Sequence, residues 1–132
     1  MEKVLGFGGF FFRSDDPATL ARWYSQNLGV LEVPTDYGGT CWQQDAGETV
    51  FAPFGRDTTY FDRPAPDSRQ PAQFMLNFRV RDLDAMVAQL RGAGTEVEVE
   101  SEVYPNGRFA KLFDPEGNPI QLWEPADPGA GA

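Results

Sequence analysis

Few side chains in this sequence can do chemistry, and the missing types are as informative as those present. No histidine occurs among the 132 residues. Ser-His-Asp triads, Cys-His pairs, imidazole acid–base chemistry and every His-containing metal site are excluded together. Cys41 is the single cysteine, so no internal disulfide can form and a reducing compartment is expected. Its neighbours are apolar, with no basic group to lower the thiol pKa, and it reads as inert rather than nucleophilic. What remains are polar groups spaced two apart inside apolar segments: Asn77 and Arg79 within Phe74–Val80, and Gln121 two before Trp123. Arg108 follows a Pro-Asn-Gly turn; it is either a clamp for a ligand carboxylate or an exposed hairpin arginine. Tyr60 and Tyr104 sit in loop segments, where a phenol can donate a proton to a ligand or simply pack.

These groups need a fold to position them. The length suits one domain, and 41% hydrophobic with 14% aromatic residues is enough to build a core. Eleven Lys and Arg against twenty Asp and Glu give a net charge of −9. That argues against nucleic acid and anionic membrane surfaces as partners, since both require a basic patch. The opening apolar run is short and broken by glycines, so neither a signal peptide nor a membrane span is expected, and the location reads as cytoplasmic.

The chain reads as a repeat of itself. Val4–Phe12 is an apolar run expected as a buried strand. Asp16 before Pro17 suits a helix start, with Leu20, Trp23, Tyr24 and Leu28 at helical spacing and Gly29 as the stop. Strands are expected at 30–33, 40–44 and 48–53, separated by Gly38-Gly39 and Asp45-Ala46-Gly47. After a Pro/Asp-rich loop at 55–72 the order returns. Phe74–Val80 is a strand, Asp82 an N-cap, and Leu83, Met86, Val87 and Leu90 a helical stripe stopped by Gly94. Strands follow at 97–99, 108–113 and 119–123. Asp16 and Asp82, like Gly9 and Met75, lie 66 positions apart. This predicts an α+β domain of two tandem βαβββ modules, at about 4–54 and 73–125, ahead of a frayed tail.

Asp114–Pro125 (DPEGNPIQLWEP) closely resembles the closing hairpin of the vicinal oxygen chelate superfamily, which includes glyoxalase I, extradiol dioxygenases and bleomycin resistance proteins. Asp16–Val30 and Phe78–Gly94 resemble its two helices, so the likeness runs over nearly the whole chain. It implies paired modules whose curled mixed sheets enclose a concave cavity, in a homodimer. Exposed sheet edges with an aromatic lining point to the same pairing. Metal-using relatives place four ligands in that cavity. The corresponding positions here are Gly9, Phe51, Met75 and Gln121, of which only the Gln121 amide is an ordinary oxygen donor. Neither a metal nor another cofactor is therefore expected. Glu48 and Glu124, the nearest carboxylates, fall at odd offsets and so on the opposite strand faces.

Alternation assigns Phe10 and Phe12 to the core and Gly9 and Phe11 to the concave face. Met75, Asn77, Phe51, Gln121 and Trp123 share that face, with Trp42 as a wall and Arg108 at the rim. Such an aromatic cleft with a few polar fixtures has the composition of a small-molecule pocket, or its aromatics simply fill the space as a second core. Three functions remain open: metal-independent binding of an apolar or aromatic small molecule; a glyoxalase-like lyase, isomerase or dioxygenase-related enzyme acting on a small oxygenated metabolite; and a non-catalytic regulatory domain.

Overall fold

The structure is a computed structural model describing residues 1–63 and 71–126. Residues 64–70, in the expected connecting loop, and 127–132, in the expected tail, lie outside the described residues. Helix α1 spans Pro17–Leu28. Asp16 caps it by accepting from the Thr19 amide, Pro17 takes the first turn where no N–H is needed, and Gly29 ends it in the left-handed region at φ 73°. Strand β1 (Leu76–Arg79) leads into α2 (Leu83–Gly92), capped by Asp82, and then into β2 (Glu98–Val99), β3 (Gly107–Phe113) and β4 (Pro119–Pro125).

The second half is thus one βαβββ unit. Its strands form an open mixed sheet in the order β1-β4-β3-β2, with β1 parallel to β4 and the other pairs antiparallel. Both helices cover one face. Leu20 and Tyr24 of α1 and Leu83, Val87 and Leu90 of α2 pack on Ala110, Leu112, Ile120 and Leu122. Because side chains alternate across a strand, 75, 77, 79, 109, 111, 113, 121 and 123 take the other face.

The first half departs from the tandem pattern. Among described residues 1–63, α1 is the one helix or strand, and the segments expected as strands at 4–12, 30–33, 40–44 and 48–53 form no ladder. A strand must recover its ordering entropy from a hydrogen-bonded neighbour and a packed face. Gly6, Gly8 and Gly9 raise that cost in the first segment, and Pro34 and Pro53 stand at the ends of the 30–33 and 48–53 segments, where neither can donate to a ladder. The sheet accordingly does not close round a cavity.

The first half is nevertheless tied to the second at several points. Glu116 accepts from the Ser14 hydroxyl at 2.7 Å and from the Asp15 and Asp16 amides. Arg79 donates to the carbonyls of Asp45 and Ala46 at 2.7 and 3.2 Å. Phe10 and Phe12 reach an aromatic cluster with Phe74 and Tyr24, but at 49% and 37% exposed they are not the buried core residues expected, because the segment carrying them pairs with no strand.

Candidate functional site

The face away from the helices carries a transverse row of polar side chains. Register places Asn77 of β1, Gln121 of β4, Lys111 of β3 and Glu98 of β2 side by side. Asn77 Nδ2 donates to Gln121 Oε1 at 2.6 Å, and Gln121 Nε2 donates to the Tyr60 hydroxyl at 2.7 Å. The Tyr60 hydroxyl donates to Glu100 at 3.3 Å. Lys111 Nζ donates to the Tyr60 carbonyl, 4.8 Å from the centre of its ring and 5.7 Å from that of Phe113. Burial first, and then the Glu100 carboxylate, hold the Tyr60 phenol above its ordinary range. It stays neutral and keeps its proton at physiological pH.

Tyr60 comes from the loop expected as a mere connection. Turns near residues 56–57 and 60–61 bring it over the sheet, with Phe54 tilted against Tyr60 and Phe61 at 6.1 and 4.9 Å between ring centres. One row further along the sheet, Phe109 and Trp123 lie parallel, 6.3 Å apart. Trp123 is only 6% exposed and donates to the Asn106 carbonyl at 2.8 Å. Phe109 is therefore the ring of this pair that remains part-exposed.

Of the residues expected to line the cavity, the structure gathers Asn77, Gln121 and Trp123 on this face, with half-buried Met75 just before β1. Trp42 lies at the β1 edge, 6.4 Å from Phe78. Gly9, Phe11 and Phe51 do not join them. Phe11 and Phe51 are 92% and 81% exposed, and a side chain at Gly9 would run first into the Phe11 ring. Arg108 is on the helix face, where its guanidinium grips Asp84 at 3.0 and 3.2 Å. Even-numbered β3 residues point toward α2, which is why it cannot reach Gln121. Glu124 likewise faces α2 and accepts from the Leu83 amide at 2.9 Å. Sequence reasoning passed over Lys111, Phe109 and Glu100. Alternation in Gly107–Phe113 read against Gln121 would have found the first two.

A divalent metal does not fit this donor set. Gly9 offers no donor and Phe51 is off the sheet. The Gln121 oxygen accepts from Asn77, and the neighbouring cross-strand residue is a lysine, whose ammonium repels a cation. Among the described residues no group of three or more His, Cys, Asp or Glu is placed to hold a metal ion. No helix among them is long and apolar enough to cross a membrane.

A family model for a glyoxalase-like domain matches residues 9–123. No curated protein matches the chain. Among solved structures, a glyoxalase/bleomycin resistance protein from Streptomyces sp. CB03234 is 36% identical over 41% of this chain and 47% of its own, with a TM-score of 0.36. A glyoxalase family protein from Enterococcus faecalis is 30% identical over 46% and 51%, with a TM-score of 0.37. The chain spans about half the length of each. TnmS3, an antibiotic binding protein from Streptomyces sp. CB03234, is 25% identical over 85% and 88%, with a TM-score of 0.49. With the family model covering all but the two ends, the chain belongs to the glyoxalase-like domain family of the vicinal oxygen chelate superfamily.

Proposed function

We propose that the chain is a small-molecule binding protein of the glyoxalase/bleomycin resistance type, working without a metal ion and holding an aromatic ligand on the open face of its sheet. The observation that carries this reading is the Asn77–Gln121–Tyr60 hydrogen-bond chain beside Lys111, set between the rings of Phe109 and Phe113. Polar groups on a solvated sheet face usually stand apart in water. Here four are gathered beside aromatic surface, the combination that orients a small ligand. The protein acts in the cytoplasm and pairs as a homodimer. Val4, Phe7, Phe11 and Phe51 are exposed in the first half, and a second copy is the partner that covers them.

A second reading rests on the Tyr60–Glu100 pair. A neutral phenol bonded to a carboxylate can pass a proton to a bound carbonyl, as a lyase or isomerase of small oxygenated metabolites requires. A thermal-shift screen of aromatic compounds and small oxyacids, followed by Tyr60→Phe, separates the two. Ligand at 100 times its Kd stabilises by about 2.7 kcal/mol. Aromatic hits with no turnover support binding, and turnover lost in Tyr60→Phe supports the enzyme. A screen without hits refutes both.

A further inference from the structure

Lys111 is the cation on the open face that makes no ion pair among the described residues. An ammonium has three N–H donors, and one of them goes to the Tyr60 carbonyl. The nitrogen also lies over the rings of Tyr60 and Phe113. Among the described residues no carboxylate lies within ion-pairing distance of it, whereas Arg108 holds Asp84 and Arg79 is spent on two loop carbonyls. Glu98, opposite it in register, makes no ion pair with it, and Glu100 accepts from Tyr60. A half-buried cation stacked on rings and lacking a counter-ion is a position where an anion gains more than elsewhere on this acidic chain.

Of the neighbours, the Glu98 and Glu100 carboxylates oppose that sign and the two amides favour it. Asn77 and Gln121 each keep one amide N–H beyond the one already bonded, whereas the Tyr60 proton is committed to Glu100. Phe109 and Phe113 stand two residues either side of Lys111 on the same face of β3, so an arene whose acid group meets the ammonium has a ring to lie along in either direction. Beyond those two carboxylates, the net charge of −9 opposes anions at range and is screened over about 8 Å at physiological salt.

Resting on the binding function proposed above, we infer that Lys111, with Asn77 and Gln121, is an oxyanion subsite, and that the ligand class is aromatic acids. An arene carboxylate places its oxygens on Lys111 and the row of donors, and its ring along Phe109 or Phe113.

The test is calorimetric titration of the whole chain with three probes of one shape: 2-naphthoate, neutral 2-naphthamide and cationic 2-naphthylmethylammonium. The acid is expected to bind at least about tenfold more tightly than the amide, and the ammonium more weakly still. Lys111→Met should remove the preference for the acid, and Lys111→Arg should restore it in part, with both variants unfolding at temperatures close to the parent. If the amide or the ammonium binds as well as the acid, or Lys111→Met leaves the preference intact, the oxyanion subsite is refuted while small-molecule binding stands. If none of the three binds, the subsite is refuted and the broader screen decides the general function by itself.

Discussion

Replacing Tyr24 by Phe tests the buried joint between α1 and the β3–β4 turn. Asp114 is 4% exposed and accepts four hydrogen bonds. Its Oδ1 takes the amides of Glu116 and Asn118 at 2.8 and 3.0 Å, and Oδ2 takes the Tyr24 hydroxyl and Asn118 Nδ2, each at 2.7 Å. The substitution keeps the ring, with its contacts to Phe12, Trp23 and Phe78, and deletes one charge-assisted bond. Such a bond is worth about 1.5–3 kcal/mol, and the carboxylate keeps three partners, so about 2 kcal/mol is expected. Unfolding entropy of about 2.1 cal/mol/K per residue makes 1 kcal/mol worth roughly 3–4 °C at this length. Tm by circular dichroism at pH 7 should therefore fall by about 7 °C. Alkaline pH adds a signed check. Burial, and then the Asp114 hydrogen bond and charge, push the Tyr24 phenol above its ordinary value of 10.0. A raised pKa stabilises the fold fully below that value, and the contribution is lost as pH rises past it. At pH 11 the unfolded parent ionises this phenol while the folded parent does not, a loss of roughly 1 kcal/mol that the Phe variant never has, so the gap should shrink. A fall of under about 2 °C at pH 7, or a gap unchanged at pH 11, would refute the joint as drawn.

Gly107→Ala should cost about 3 kcal/mol or more by chemical denaturation, because φ is 134° there and a Cβ would overlap the Glu124 carbonyl and crowd Trp123 Nε1; a loss below about 1 kcal/mol contradicts the geometry. Glu116→Gln should lower Tm at neutral pH. Hydrogen bonds from Ser14, Asp15 and Asp16 hold the Glu116 carboxylate below its ordinary 4.5, so its contribution is present above that value and fades as pH falls through the lowered one. Its difference from the parent should be under about 1 kcal/mol, since water screens the group, and should vanish in acid; a gap that widens in acid has the wrong sign. Zn²⁺, Ni²⁺, Fe²⁺ and Mn²⁺ should leave Tm unchanged and should not co-purify at one per chain. Stoichiometric metal by elemental analysis would overturn the assignment of Gly9, Phe51, Met75 and Gln121 to the ligand positions.

Elements whose signals are local were legible. Asp16-Pro17 and Gly29 bound α1, and Asp82 caps α2, because caps and left-handed stops are decided within a turn of the chain. Alternation alone separated Asn77 and Gln121 from Leu76, Phe78 and Leu122. It failed where pairing decides: Val4–Phe12 has the apolar content of a strand, but content does not supply a partner. Tyr60 was seen as a loop phenol, and nothing in residues 55–63 says that the loop turns back over a strand 61 positions away. That contact is set by how the loop closes, which local propensity does not encode.

The ties between the halves also explain where the remaining apolar surface points. Arg79 seats the 45–47 turn so closely that a Cβ at Gly47 would sit in its guanidinium, and Tyr60 seats the loop after it on Gln121. With those turns held at the sheet, the aromatic residues between them and at the start of the chain have no place left on it: Phe7 and Phe51 pair with each other at 6.0 Å and remain open to solvent. Edge strands β1 and β2 each keep one side without a ladder partner among the described residues. Exposed rings and unpaired strand edges within one chain are each a liability in water. The homodimer proposed above would relieve both at once, because the same patch appears on each side of a two-fold interface.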